Sequence, residues 1–175
     1  VTGQQLGVYG GPLLTLYKAL HAIKLARELS VAGGPPVIPL FWLQGEDHDI
    51  EEIASITLPA ALAAGDPASD AGLLERIHFD VPSWVGEERR RSVAGLALPE
   101  EADQLSSRLI SQLPKLEGHC WLEAAVRSAY HSGANVLTAF RELFDAILGE
   151  EAVLYLNPQL PAVRQGAISI NRLAL

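Results

Sequence analysis

The sequence of 175 residues is poor in cysteine, methionine and basic side chains. Its single cysteine, Cys120, excludes an internal disulfide bond and favours a reducing, cytoplasmic setting. Lysine and arginine number 13 against 21 acidic residues. The resulting net charge of −8 argues against a general nucleic-acid binder, because neutralising phosphates supplies most non-specific affinity. No apolar run reaches the roughly 18 residues of a membrane span, so we expect no membrane partner.

The remaining composition is that of a globular protein. Hydrophobic residues make up 49% of the chain and charged residues 19%, which is enough apolar material for a domain with a real core. The chain lacks methionine altogether, and it begins at Val1 without a signal-peptide pattern. We therefore expect it to be cut from something longer.

The first fifty residues predict a right-handed βαβ unit of an α/β fold. Residues 1–11 read as a strand end running into a glycine-rich loop, and Pro12 suits the first position of a helix that extends from Leu13 to about Ser30. Val37 to Leu43 is a continuous apolar run, typical of a strand buried on both faces of a parallel sheet. Its Pro39 weakens that interpretation, since proline cannot donate to a ladder.

Further elements follow with less regular patterns. Residues 59–72 read as a loop, and Arg76 to Val81 alternates like a strand. The sequence predicts helices over Gly86 to Leu96 and Pro99 to Leu113. A clearer amphipathic helix extends from Asn135 to Leu148, and a buried strand over Ala152 to Leu156 follows it.

The glycine-rich loop is suited to binding an anion. Glycines let a phosphate approach the backbone, and a following helix offers free amides and a partial positive charge. A side-chain hydroxyl and an ammonium group follow in the first turns of the helix, and two amides precede the loop. The candidate binding residues are Gly3, Gln4, Gln5, Gly10, Gly11, Thr15 and Lys18. The spacing is neither a Walker loop nor the dinucleotide fingerprint, and a tight turn feeding a helix is the simpler alternative.

A second cluster follows the strand over Val37 to Leu43. Glu46, Asp47, His48 and Asp49 place three carboxylates and an imidazole in four residues, where histidine can move a proton near neutral pH. In parallel sheets the carboxyl ends of the strands share one edge, so we expect this acidic segment to meet the glycine-rich loop there. The alternative is a solvated helix start. No metal-ligand spacing accompanies the cluster, and we predict no metal site.

Two blocks of this sequence carry a family resemblance. VTGQQLGVYGGPLLTLYKALHAIKLARELS and PPVIPLFWLQGEDHDIEEI closely resemble the amino-terminal part of the cysteine-adding enzymes of bacillithiol biosynthesis, BshC. The later segment ANVLTAFRELFDAILGEEAVLYLNPQLPAV is also similar to that family. Residues 59–130 match only loosely. Asn157 stands where relatives commonly have an acidic residue.

The resemblance implies a Rossmann-like, nucleotidylyltransferase-like parallel sheet flanked by helices over residues 1–175, with 59–130 as a helical connecting insertion. It implies a cytoplasmic ligase that joins the carboxyl group of cysteine to the amine of glucosaminyl malate, with ATP or another nucleotide as activator. Family members are longer than this chain, and a helical coiled coil outside it would form a homodimer. Activity of this chain alone is therefore in doubt.

The candidate residues then receive hypothetical roles. Gly3, Gly10 and Gly11, with Thr15 and Lys18, would hold phosphate or a substrate carboxylate. Asp47 and His48, flanked by Glu46 and Asp49, would orient or deprotonate the attacking amine, and Gln4 and Gln5 would position sugar or malate hydroxyls. Two alternatives stay open. A nucleotidylyltransferase would release pyrophosphate without forming an amide, and a non-catalytic Rossmann-like module would show no thermal stabilisation by any of these ligands.

Overall fold

The computed structural model describes residues 1–31, 34–59, 74–81, 92–151 and 153–173. Within these ranges the chain forms five strands, six α-helices and two short 3₁₀ turns. The strands are β1 (Thr2–Gln5), β2 (Leu40–Gln44), β3 (Ser55–Pro59), β4 (Leu74–His78) and β5 (Leu154–Leu156). The α-helices are α1 (Leu13–Val31), α2 (Ile50–Ile53), α3 (Ala102–Gln112), α4 (His119–Ala129), α5 (Val136–Leu148) and α6 (Pro161–Leu173). The 3₁₀ turns cover Val8–Gly10 and Val93–Gly95.

A parallel sheet of β1, β2 and β5 forms the centre of the domain, with β2 in the middle. Gly3 lies opposite Trp42, and Phe41 lies opposite Tyr155. The parallel βαβ pairing is confirmed, and β2 begins immediately after Pro39, where its missing N–H costs no ladder hydrogen bond. The later strand forms only over Leu154–Leu156, and it is not buried as predicted, because Leu154 is 56% exposed and the next two residues are half-buried. The expectation that β2 is buried on both faces holds for only one of them. Phe41 and Leu43 are buried, whereas Trp42 on the opposite face is only half-buried.

Helix α5 covers the buried face of the sheet. Its side chains Val136, Phe140, Leu143, Phe144 and Ile147 follow the predicted stripe, and the first four are fully buried. The rings of Phe140 and Phe144 stack with centroids 4.5 Å apart, and Phe41 of β2 lies 5.7 Å from Phe144. These ring contacts stabilise the packing of α5 on the sheet, because they bury a large apolar surface at a favourable ring geometry.

Helix α1 is apolar around most of its circumference but packs on one side only. Ala19, Ile23 and Ala26 are buried, whereas Leu14 and Tyr17 on the opposite side are more than half exposed. The structure therefore leaves this face of α1 open, although an all-round apolar pattern predicts contact on more than one side. No helix among the residues that the structure describes is long and apolar enough to cross a bilayer.

The middle of the chain differs from its pattern. The strand predicted over Arg76 to Val81 is β4 (Leu74–His78), which begins two residues and ends three residues earlier than predicted and pairs antiparallel with β3. The predicted helix over Gly86 to Leu96 lies partly outside the described residues, and its last part is the 3₁₀ turn at Val93. Helix α3 confirms the prediction over Pro99 to Leu113. The insertion boundaries at 59–130 stay a prediction.

Candidate functional site

The carboxyl ends of β1 and β2 bring the two predicted segments together. Gln5, the last residue of β1, donates its Nε2 to Oδ2 of Asp47 at 2.5 Å and to Oε2 of Glu52 at 2.9 Å. These partners lie 42 and 47 residues further along the chain. The predicted meeting of the two segments is confirmed at this contact, because parallel pairing of β1 with β2 puts both strand ends at one edge.

Asp47 is held as a fixed anion. Besides the bond from Gln5, its Oδ1 accepts from the backbone N–H of His48 at 2.6 Å and of Asp49 at 3.1 Å. The side-chain hydrogen bond from Gln5, followed by these backbone bonds, lowers the pKa of the Asp47 carboxyl below its ordinary value of 3.8. Because a carboxylate with a lowered pKa accepts a proton poorly, Asp47 is better suited to orient a positive group than to remove a proton.

We predict that Gln5→Leu raises the pKa of Asp47 toward its ordinary value, because it removes the largest cause of the lowering. An NMR titration of the Asp47 carboxyl would measure this. Since the folded pKa is the lower one, the bond's contribution to stability is present above pH 3.8 and is lost as the pH falls through the folded pKa. Gln4→Leu is the matched control, because Gln4 bonds to Lys18 and not to Asp47. An unchanged Asp47 titration in Gln5→Leu would contradict the assignment.

The other members of the acidic segment have distinct positions. Asp49 caps helix α2 by accepting from the backbone N–H of Glu52 at 3.2 Å, which is a structural role at a helix start. Glu46 and His48 are exposed. Among the described residues, the His48 imidazole has no hydrogen-bond partner, so its ring nitrogens are accessible to a bound molecule. The structure therefore divides the predicted catalytic set into a fixed anion, a helix cap and two exposed side chains, the Glu46 carboxylate and the His48 imidazole.

The glycine-rich loop owes its composition to its own geometry. Tyr9, Gly10 and Gly11 have φ angles of 54°, 89° and 70°, in the left-handed region that favours glycine. The amide of Gly10 donates to the Tyr130 hydroxyl at 3.3 Å, and that of Gly11 donates to the carbonyl of Val8 at 3.1 Å. Both amides are thus used inside the protein. The glycines shape the loop, and an anion would have to be held by other groups.

Buried aromatic side chains hold this loop from beneath. The Tyr9 ring lies 4.6 Å from the Tyr130 ring, and its hydroxyl lies 3.2 Å from Oγ of Ser106. Ser106 in turn donates to the carbonyl of Tyr130 at 2.7 Å. Burial raises the pKa of Tyr9 to about 12, so its hydroxyl stays neutral. A non-glycine residue with positive φ persists where its surroundings over-determine it, and these contacts meet that condition at Tyr9.

A cleft of about 830 Å³ opens beside the loop. Its volume falls within the roughly 300–1,000 Å³ of small-molecule sites. Its lining combines the loop and the end of β1 with Glu52 of α2 and the side of β3. The lining residues nearest the predicted site are Gln4, Gln5, Gly7, Gly11, Pro12, Leu13 and Glu52. Thr15, in the first turn of α1, is fully buried behind Gly11. Within the described part of the chain, its hydroxyl has no hydrogen-bond partner.

Lys18 lies apart from this cleft. Its ammonium donates to Oε1 of Gln4 at 2.7 Å and to the carbonyl of Gly3 at 3.2 Å. It lines a separate, mostly apolar groove along α1, together with Leu14 and Tyr17. Lys18 therefore does not line the cleft, and its connection to the cleft is the hydrogen bond to Gln4, which does line it. A side chain at position 3 would not fit, because a Cβ there would lie 2.7 Å from the carbonyl oxygen of Trp42, so this glycine is needed for the packing of β1 against β2.

Three polar residues at the site escaped the sequence analysis, namely Glu52, Ser92 and Gln159. Glu52 shares the Gln5 amide with Asp47. Gln159 follows β5 and bonds to Ser92. The strand-end rule applied to β1 and β2 also holds for β5, so residues 157–160 could have been placed at the same edge. Across the described ranges, no group of three or more histidine, cysteine or acidic residues is placed to hold a metal ion.

Comparisons with known proteins give one consistent match. Residues 1–173 match a domain family described as "Bacillithiol biosynthesis BshC, N-terminal Rossmann-like domain". A protein of Salinibacter ruber named "Putative cysteine ligase BshC" is 32% identical over 90% of this chain and 26% of its own length. Proteins of the same name from Solibacter usitatus and Heliobacterium modesticaldum are 33% and 32% identical over 100% and 94% of the chain. The match covers 30% and 28% of those relatives, so this chain spans less than a third of their length.

Proposed function

This chain belongs to the Rossmann-like domain family of bacillithiol-biosynthesis BshC, and on that premise we propose that it forms the core of a carbon–nitrogen ligase. The reaction is the joining of the cysteine carboxyl group to the amine of glucosaminyl malate. The relatives' name supplies the reaction class and the amino acid. The amino-sugar, a cytoplasmic setting and a homodimer formed through the family's helical region belong to the same proposal.

The contact between Gln5 and the carboxylates of Asp47 and Glu52 is the observation that carries this proposal. Gln5 and Glu52 line the cleft, and Asp47, the residue before the accessible His48, is held against Gln5. An amine in water is largely protonated, so it needs an anionic surface to bind and a base to become a nucleophile. Asp47 supplies a fixed negative charge for the first step, and His48 supplies an imidazole for the second.

We assign separate roles to Asp47 and His48 from their different surroundings. The ammonium group of the sugar lies near Asp47 and first passes one proton to the imidazole of His48. The neutral nitrogen then attacks the activated acyl carbon of cysteine, the bond from that carbon to the activating phosphate oxygen breaks, and the nitrogen loses a second proton to the released phosphate or nucleotide as the amide forms. ATP or another nucleotide would supply the activation that turns the carboxylate into a reactive acyl group. Asp49 caps α2 and Glu46 is exposed, and we assign the proton transfer to His48 and not to these two carboxylates.

The start of α1 is the proposed anion site. The first turn of a helix carries free amides and a partial positive charge, which favour a phosphate or a carboxylate. The buried hydroxyl of Thr15 lies next to Gly11 and has no other partner among the described residues, so a small shift would let it donate to such an anion. Gln4 and Gln5 line the same cleft and offer amides to sugar or malate hydroxyls. Gly10 contributes the loop shape, and Lys18 orients Gln4.

Product formation by the complete protein tests this function directly. Protein, cysteine, glucosaminyl malate and ATP would be combined, and the amide product followed by mass spectrometry together with phosphate and pyrophosphate release. We expect amide to accumulate only when cysteine and the amino-sugar are both present. Pyrophosphate release without any amide would overturn the ligase proposal in favour of a nucleotidylyltransferase. Absence of both products and of any ligand-induced rise in Tm would favour a non-catalytic module.

A further inference from the structure

The loop after β5 lies at the same edge of the sheet as the end of β2, where Gln159 contacts Gly45. Asn157 follows the last residue of β5, and its Oδ1 accepts from the backbone N–H of Gln159 at 2.9 Å. This local turn directs the Gln159 side chain back across the carboxyl end of β2. A side-chain bond between an asparagine and the backbone two residues on is a common way to fix such a turn. The direction of Gln159 is therefore set by its own loop.

The side-chain amide of Gln159 connects two distant segments. Its Nε2 donates to Oγ of Ser92 at 2.6 Å and to the carbonyl oxygen of Gly45 at 3.3 Å. These acceptors lie 67 and 114 residues away in the sequence. An amide nitrogen has two hydrogen atoms, so both donors of Gln159 are engaged. One side chain thus links the ends of β2 and β5 to the segment that begins at Ser92.

The segment that begins at Ser92 lies directly against residues 45–49, the acidic loop that follows β2. The backbone N–H of Ala94 donates to the Gly45 carbonyl at 3.0 Å, and that of Val93 donates to the Asp47 carbonyl at 2.9 Å. The packing is close, because a Cβ on Gly45 would lie 2.6 Å from the Cβ of Ala94. The main chain from Gly45 to Asp47 is therefore fixed from this side, while the Asp47 side chain is fixed by Gln5 from the other.

We propose that Gln159 is a positioning residue that fixes the acidic loop, and with it His48, at the edge of the cleft. The inference rests on the proposed function for its catalytic part. Gln159 does not touch the proposed reacting groups, and its effect passes through Gly45 and Ser92. Without its amide, the 92–95 turn and the acidic loop keep their mutual hydrogen bonds but lose their common tie to β5. His48 then samples positions away from the attacking amine, and a displacement of about 1 Å can cost up to 10²-fold in rate.

Gln159→Leu in the complete protein is the direct test, because leucine is similar in size and donates no hydrogen bond. We expect kcat for amide formation to fall about 10- to 100-fold with the KM values within about twofold, since only the transition state loses alignment. The backbone amide NMR signals of His48 and Asp49 should shift as well. Ser92→Ala removes one of the two acceptors and should give a smaller change of the same kind.

Gln165→Leu is the matched control, because Gln165 is an exposed glutamine on α6 and the chemical change is identical. It should leave kcat and the His48 signal unchanged. An unshifted His48 amide together with a normal kcat in Gln159→Leu would overturn the positioning role. Wild-type protein without ligase activity would overturn the proposed function, whereas a His48 shift in the same Gln159→Leu protein would still support the positioning role.

Discussion

His48→Ala is expected to lower the turnover of amide formation by about 10²- to 10⁴-fold, the usual contribution of a positioned acid or base. The imidazole is exposed, and no partner holds it within the described ranges, so its removal should leave the free energy of unfolding unchanged within about 0.5 kcal/mol. The loss should appear in kcat, because the proposed mechanism assigns substrate binding to Asp47 and the cleft and not to His48. Steady-state kinetics of the complete protein, with thermal denaturation alongside, would measure both quantities.

A matched variant separates loss of this imidazole from loss of a histidine in general. His21 is an exposed histidine on α1, and it lines the groove along that helix and not the cleft. His21→Ala should retain wild-type turnover. Equal activity of the His48→Ala and wild-type proteins would rule out His48 as the proton acceptor, and the amine would then have to lose its proton to water or to the second substrate.

Tyr130→Ala is expected to destabilise the 175-residue chain by about 3–5 kcal/mol, the range for truncating a buried aromatic side chain. The side chain is 1% exposed, and its ring packs against Tyr9 beneath the glycine-rich loop. Its hydroxyl also accepts from the Gly10 amide. Truncation therefore leaves a cavity and an unpaired buried N–H at the same place. Urea denaturation followed by tryptophan fluorescence would measure the change in free energy of unfolding.

Tyr130→Phe isolates the hydrogen-bond part of this effect. Phenylalanine keeps the ring but leaves the Gly10 amide without its acceptor, which should cost about 1–3 kcal/mol. Tyr17 provides the control, because it is 61% exposed on α1 and its truncation should change stability by less than about 0.5 kcal/mol. If Tyr130→Phe proves as stable as wild type, the Gly10 amide has found another acceptor and the loop is not anchored by this hydroxyl.

His48→Ala and Tyr130→Ala together test which residues take part in the chemistry and which hold the site in shape. Tyr130 is far along the sequence from the glycine-rich loop that lines the cleft, yet its contacts determine the shape of that loop. The proposed chemical groups, by contrast, lie on short segments at the strand ends. A stability loss at Tyr130 and an activity loss at His48 would therefore be independent outcomes. Each can be measured without assuming the other.

Much of the fold could be predicted from local patterns. The stripe of α5 is periodic, the run before Gln44 is continuously apolar, and Pro12 marks the start of a helix. Burial against a neighbouring element is the simplest way to satisfy the two apolar patterns. The same patterns predicted that β1 and β2 are parallel, which the register of Gly3 opposite Trp42 confirms. Parallel strands end at one edge, so the meeting of the two polar segments followed from topology alone.

The hairpin of β3 and β4 shows where such patterns fail. Its strands pair from Ser55 opposite His78 to Pro59 opposite Leu74. Each strand is short, and a short alternating run is compatible with a strand or an irregular segment until its partner is known. The residues between Pro59 and Leu74 separate the two strands in the sequence, so neither strand's own segment identifies its partner. Pairing therefore had to be decided by tertiary contacts.

The glycine-rich loop shows the same limit at the site. Its composition predicted both an anion cradle and a tight turn, and the choice depended on where each amide donates. Gly10 reaches Tyr130, 120 residues away, and no local pattern encodes a contact of that range. The same applies to Gln159 and Gly45, which are neighbours only because β5 lies beside β2.

The amino-acid sequence by itself determined the parallel α/β core, the edge at which polar segments gather and the family to which the domain belongs. Residue periodicity is a local property, and the strand-end rule needs only the order of strands and helices along the chain. Neither requires knowledge of distant partners. Only the tertiary structure decided which donors are already used and which groups stay accessible. Hydrogen bonds such as those of Gln5, Tyr130 and Gln159 join residues far apart in the chain, so their partners exist only once the chain has folded.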